Sequence, residues 1–137
     1  MLGINSYLTF NGNCKQAMQF YKKCLGGDLI LQTVDESPRS GKLPSHVKGS
    51  IVHATLSYDG WMLMATDLVG DHGLQKGNSV SLFLRCESEK EIISLYKKIS
   101  QDGKVIQPVA RNHWGAWLAS FIDRFGVHWI LNYQSKK

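Results

Sequence analysis

The side chains best able to do chemistry in this chain are its histidines, its carboxylates and its cysteines. Imidazoles, carboxylates and thiolates bind divalent metals, and they also serve as bases or nucleophiles. None of them stands in a known catalytic motif, because the sequence contains no G-x-S-x-G, no H-E-x-x-H, no phosphate-binding loop and no dinucleotide-binding fingerprint. The five histidines are His46, His53, His72, His113 and His128.

The three cysteines, Cys14, Cys24 and Cys86, lack the spacing of a zinc finger. Cys14 and Cys24 fall on one predicted helix, too far apart to form a disulfide. We therefore expect reduced thiols in a cytoplasmic protein. The N-terminus does not read as a signal peptide, and no apolar run approaches the ~20 residues that a membrane helix needs.

The net charge of +5 comes from lysines that are dispersed along the chain. No helix-turn-helix, zinc-finger or RNA-binding pattern accompanies them. We therefore expect no nucleic-acid partner and no membrane partner.

An internal repeat organises the chain. A shift of 75 positions aligns residues 6–27 with 81–102, and each copy reads as a strand followed by an amphipathic helix. Asn13 with Gln16, and Ser88 with Glu91, have the spacing of capping boxes.

Each copy continues with three strands, the last two forming a hairpin. The turns lie at Asp59-Gly60 and at residues 123–126. The pattern predicts one α+β domain over residues 1–137, made of two tandem βαβββ modules. Module one spans about 1–67, the crossover 68–78 and module two about 79–134, with a long polar loop over 35–50 in module one.

Three segments carry a family resemblance: YLTFNGNCKQAMQFYKKCLGG, HATLSYDGWMLMATD and WGAWLASFIDRFGVHWILN. Together they resemble the PhnB-like branch of the vicinal oxygen chelate superfamily, which includes glyoxalases, bleomycin-resistance proteins and dioxygenases. The resemblance covers nearly the whole chain, although Arg124 stands where the family usually has proline. It implies a curved sheet that encloses a cleft, a homodimer, and a divalent metal held by four inner-strand side chains.

The resemblance places those four ligand positions at Ser6, Met64, Ser81 and Ile130. None of these is a usual ligand of a divalent transition metal. We therefore expect no metal cofactor. The alternative is a divergent divalent-metal-dependent lyase, isomerase or dioxygenase that uses relocated ligands drawn from His53, His113, His128 and Asp67.

Side chains two residues apart on a strand share a face, which predicts the lining of the cleft. The predicted lining is largely apolar with a few polar anchors, as in small-molecule sites. Arg85 could bind an anionic group, or pair with Glu87 or with solvent. The predicted function is binding of a small organic ligand of unassigned identity, and the residues name no reaction. The predicted ligand-binding residues are Ser6, Leu8, Phe10, Met62, Met64, Ser81, Phe83, Arg85, His128 and Asn132.

Overall fold

A computed structural model of the chain describes residues 2–33 and 50–135. The chain divides into two compact units, unit 1 over residues 1–75 and unit 2 over residues 76–137. His46 and the predicted polar loop, apart from Ser50, lie outside the described residues.

Unit 1 contains one helix and a four-stranded sheet in the order β1-β4-β3-β2. Strand β1 pairs in parallel with β4, and the other pairings are antiparallel. The elements are β1 (Ser6–Thr9), α1 (Cys14–Leu25), β2 (Asp28–Thr33), β3 (Ile51–Tyr58) and β4 (Trp61–Thr66).

Unit 2 repeats this topology, with a four-stranded sheet in the order β5-β8-β7-β6 and a parallel β5–β8 pair. Both sheets are open, with edge strands β1 and β2 in unit 1 and β5 and β6 in unit 2. The predicted α+β class with two βαβββ modules is confirmed. The elements are β5 (Leu82–Arg85), α2 (Glu89–Ile99), β6 (Lys104–Arg111), β7 (Ala116–Ile122) and β8 (His128–Gln134).

The two helices begin differently. In α2 the predicted cap is confirmed, because the Ser88 hydroxyl accepts a hydrogen bond from the Glu91 backbone N–H at 3.0 Å. The Glu91 carboxylate reaches back to the Glu87 N–H at 2.9 Å. In α1 the predicted Asn13 cap is wrong, since the Asn13 side chain makes no capping hydrogen bond.

Asp67, which directly follows β4, supplies the hydrogen-bond acceptor at the start of α1 that the Asn13 side chain does not supply. Its Oδ1 accepts the backbone N–H groups of Gly12 and Cys14, both at 2.9 Å. Its Oδ2 accepts the N–H of Ile51 at 2.8 Å, where β3 begins. One buried carboxylate thus joins the β1–α1 connection, the start of α1 and the third strand of the sheet.

The two hairpin turns have different constructions. At Asp59-Gly60 both residues have positive φ, 38° and 95°. This is typical of a two-residue type I′ turn, whose backbone twist matches the right-handed twist of the flanking strands. In the turn after β7, Asp123 Oδ1 accepts the N–H groups of Phe125 and Val127. Its Oδ2 accepts the indole N–H of Trp129 at 2.8 Å. Both predicted hairpins are confirmed.

Neither α1 nor α2, the helices of the described chain, is long and apolar enough to cross a membrane.

Replacing Asp67 by alanine should destabilise the fold by roughly 3 kcal/mol, because three buried or half-buried N–H groups would lose a charged acceptor. Urea unfolding followed by tryptophan fluorescence measures this change. Asp71→Ala, in the exposed crossover, is the matched control and should stay within about 0.5 kcal/mol of the parent chain. Equal stabilities for the two variants would refute the role assigned to Asp67.

Candidate functional site

Each sheet has one face covered by its own helix, here called the helix face, and an opposite open face. In unit 1 the buried alternate strand residues Ala54, Leu56, Leu63 and Ala65 form the helix face. In unit 2 the ring of Tyr96 on α2 packs edge-on against Phe121, 5.9 Å between centroids, which identifies the helix face there.

The open face of unit 2 holds most of the polar side chains predicted for the site. Register pairs Phe83 with Ile130 and Arg85 with Asn132, so these four side chains share a face. Ser81 joins them, because its hydroxyl lies 3.0 Å from Nδ1 of His128. The predicted common facing of the five unit 2 residues is confirmed, while their contact with a ligand stays a prediction.

His128 stands between two hydroxyl groups on this open face. Ser81 Oγ lies 3.0 Å from its Nδ1, and Ser120 Oγ lies 3.3 Å from its Nε2. A neutral imidazole donates from one nitrogen and accepts at the other. One serine hydroxyl therefore donates to the ring while the other accepts from it. The three side chains can thus act toward a ligand as a hydrogen-bond donor or as an acceptor.

Arg85 and Asn132 lie at the other end of the same face, beside a pocket of about 840 Å³. The Arg85 side chain is exposed and makes no ion pair or hydrogen bond with any described residue. Pairing with Glu87, the alternative raised by the sequence, is therefore absent among the residues described, although Glu87 also lines the pocket. Within the part of the chain that the structure describes, no side chain competes with an anion for this guanidinium.

In unit 1 the predicted facing of β1 is wrong. Register pairs Ser6 with Leu63 and Leu8 with Ala65, which puts both side chains on the helix face. Phe10, just beyond the strand, is only 2% exposed and belongs to the core. These three predicted residues therefore do not share a face with Met62 and Met64.

The residue that does share their face is Tyr7. It pairs with Met64, is 52% exposed, and its ring centroid lies 6.2 Å from that of His53 on β3. The sequence analysis missed Tyr7 because the resemblance placed the inward-facing position of the first strand at Ser6, one residue earlier, and neighbouring strand residues point to opposite faces.

The facing of β1 differs from the prediction because the connection from β1 to α1 has one residue more than the matching connection in unit 2. Residues 10–13 connect β1 to α1, whereas only 86–88 connect β5 to α2. The strand positions that pair with Met64 and Ile130 are Tyr7 and Phe83, which lie 76 positions apart. Since strand side chains alternate, a slip of one residue exchanges the two faces.

The open face of unit 1 has apolar and aromatic side chains among polar ones. The apolar and aromatic residues are Tyr7, Ile30, Met62 and Met64, and the polar residues are Asp28, Gln32, His53, Thr55 and Ser57. A row across the sheet joins Ile30, Thr55, Met64 and Tyr7. The Thr55 hydroxyl of this row lies 3.1 Å from Nε2 of His53. A shallow hollow of about 340 Å³ lies beside the β3–β4 turn.

The side chains do not fit the four-ligand metal site that the resemblance implies. Met64 and Ile130 offer no ligand for a hard divalent ion, and the hydroxyls of Ser6 and Ser81 already bond to the Met62 carbonyl and to His128. Nor do three or more His, Cys, Asp or Glu side chains converge on a common point anywhere in residues 2–33 and 50–135.

The relocated candidates have other contacts. Both Asp67 oxygens accept backbone N–H groups. His53 bonds to Thr55, and the His113 ring lies 3.8 Å from the Trp114 ring in the β6–β7 loop. The divergent metalloenzyme therefore lacks a ligand cluster among the described residues.

The thiols are poorly placed for nucleophilic chemistry. Burial, with a smaller contribution from the Asp67 carboxylate, raises the pKa of Cys14 to about 12. Burial, with a smaller contribution from Glu91, raises the pKa of Cys86 to about 12 as well. The Cys24 side chain is half-buried on α1.

Comparisons with known proteins agree with this architecture. The family model described as 3-demethylubiquinone-9 3-methyltransferase matches residues 3–132. The chain belongs to this PhnB-like family. A solved structure of protein PA1353 from Pseudomonas aeruginosa is 33% identical, with a TM-score of 0.88 over 99% of this chain and 100% of that one.

Two further relatives extend the match. A PhnB protein from Bacillus cereus is 26% identical, with a TM-score of 0.76 over 96% of this chain and 99% of its own. Protein YjdN of Escherichia coli is 25% identical over 94% of this chain and 93% of its own. At the level of fold, a glyoxalase/bleomycin resistance protein/dioxygenase family enzyme from Burkholderia phytofirmans matches 95% of this chain and 98% of its own, at 11% identity and a TM-score of 0.64.

Alkylation with iodoacetamide near pH 8 should modify Cys24 first and leave Cys14 and Cys86 largely intact. With a pKa of about 12, only about one in ten thousand of these buried thiols is ionised at that pH. Peptide mass spectrometry measures the modified fraction at each position, and the denatured chain, in which all three should react, is the control. Native labelling of Cys14 or Cys86 at the Cys24 rate would contradict the burial described here.

Proposed function

We propose that this protein binds a small organic molecule on the open face of unit 2, with the polar anchors of that face as the main recognition elements, and that it does so without a metal. The observation that carries the proposal is the convergence of Ser81, Phe83, Arg85, His128 and Asn132 on one open face.

The chemistry of that face supports the proposal. Phe83 is 60% exposed although it is large and apolar, and it lies beside Ile130 in the middle of the face. Polar groups flank this apolar patch at both ends, with Ser81 and His128 on one side. An apolar surface with a few fixed polar groups is the usual composition of a small-molecule site.

The open face of unit 1 is a separate candidate surface for ligand binding. Met62 and Met64 remain candidate ligand contacts, and Tyr7 takes the place of Ser6, Leu8 and Phe10. Unbranched methionine side chains adapt to ligands of different shape.

The proposal takes the fold and the family from the relatives. It does not include the methyl transfer that the family description names. A homodimer, which the family resemblance implies, and a cytoplasmic location, which the reduced thiols favour, belong to this proposal too. The alternative remains a divalent-metal-dependent lyase, isomerase or dioxygenase.

The test is a fluorescence titration of the full chain, dialysed against a chelator, with the neutral aromatic probe N-phenylnaphthylamine. We expect saturable binding that Phe83→Ala weakens by roughly fivefold, because truncation removes about 1 kcal/mol of aromatic contact. Trp114→Ala, which removes an exposed aromatic ring from the β6–β7 loop, should leave the affinity unchanged. Addition of zinc, nickel or manganese should also leave it unchanged.

Two results would overturn the proposal. One is the absence of saturable binding by the metal-free chain. The other is binding that appears only when one of the three metals is restored, which would favour the metalloenzyme.

A further inference from the structure

We infer that the open face of unit 2 selects an elongated organic anion, with its carboxylate, sulfonate or phosphate group on Arg85 and its apolar body on Phe83 and Ile130. This inference rests on the proposed function and adds the chemical class of the ligand to it.

Arg85 is the group that identifies the charge of the ligand. Its side chain is exposed, has no ion-pair or hydrogen-bond partner among the described residues, and lines the pocket of about 840 Å³. Its cross-strand neighbour Asn132 is held by a weak hydrogen bond from its amide to the Trp117 carbonyl at 3.5 Å. A planar guanidinium beside an amide suits the oxygens of an acidic group, which both can contact as donors.

The charge of the face favours an anion over a cation. The strand residues that register places on this face include no aspartate or glutamate, and Lys104 on the edge strand adds a second positive charge. The carboxylate of Glu87 lines the same pocket as Arg85 without pairing with it. The residues of this face are Ser81, Phe83, Arg85, Lys104, Gln107, Ala110, Ala116, Leu118, Ser120, Ile122, His128, Ile130, Asn132 and Gln134.

The spacing of the anchors sets the length of the ligand. His128 and Asn132 are four residues apart on β8, which corresponds to about 13 Å along a strand. One acidic group cannot contact both ends, so the Ser81–His128 pair is left to a hydroxyl, carbonyl or amide at the far end. Phe83 and Ile130 occupy the apolar middle.

The test compares two fluorescent probes that differ by one acidic group. These are anilinonaphthalene sulfonate and its sulfonate-free parent, N-phenylnaphthylamine, each titrated into the full chain at low salt. Arg85→Gln should weaken binding of the sulfonate about tenfold, the loss expected for a charge-assisted hydrogen bond, and leave the parent compound unaffected. Glu87→Gln should tighten the sulfonate by roughly twofold, because it removes a nearby negative charge.

The matched control is Arg111→Gln, since it removes the same charge from the same sheet. Register pairs Arg111 with Trp117, on the helix face. This variant should bind both probes like the parent chain. If Arg85→Gln and Arg111→Gln weaken the sulfonate equally, the anion assignment is wrong although the proposed function stands. If neither probe saturates any variant, the proposed function fails.

A second copy of this chain is the rival occupant of the face, and sedimentation velocity on the same samples distinguishes it. We expect Phe83→Ala to weaken both probes without changing the sedimenting mass. A fall to the mass of one chain with unchanged probe affinity would assign the face to a dimer contact and overturn the inference.

Discussion

The parallel pairing of the first strand of each unit with its last strand decides which side chains of this protein meet solvent. A strand turns alternate residues to opposite faces, so a slip of one position would exchange core and surface residues. In unit 1 the pairing of Tyr7 with Met64 is supported by the Asp67 carboxylate, which joins Gly12, Cys14 and Ile51. The connection from β1 to α1 is thereby anchored to the end of β4, and the extra residue in that connection is accommodated without disturbing the helix.

Duplication left two copies of one fold unit whose open faces have diverged in chemistry. Where unit 2 has His128, four residues before Asn132, the corresponding β4 position of unit 1 is Met62. Where unit 2 begins its second strand with Lys104, unit 1 has Asp28. The result is an open face with an acidic residue, Asp28, in unit 1 and an open face with two cationic residues, Arg85 and Lys104, in unit 2.

The regular parts of this architecture were accessible from the sequence, because they depend on local patterns. The helix stripes, the Asp59-Gly60 turn and the Ser88 cap each involve residues within a few positions of one another. The common face of Phe83, Arg85, Ile130 and Asn132 in unit 2 was accessible for the same reason, because it follows from the alternation of side chains along β5 and β8.

The facing of β1 was not accessible, because it depends on the pairing of distant segments. Asn11, Gly12 and Asn13 read as a turn whether it holds three residues or four, so the extra residue left no local signal. The carboxylate that caps α1 comes from Asp67, 53 positions after Cys14, and no capping motif reports such a partner. Nor does the sequence decide whether Arg85 pairs with Glu87, because that depends on side-chain placement at the end of β5; within residues 2–33 and 50–135 the two do not pair.

The most direct measurement of this account is the set of nuclear Overhauser contacts made by two aromatic rings, those of Tyr7 and Phe83. With the described registers, the Tyr7 ring should contact the His53 imidazole, and the Phe83 ring should contact the side chain of Ile130. Contacts from the Tyr7 ring to the buried side chains of α1, Ala17 and Met18, would mean that β1 presents its other face, and would contradict the account.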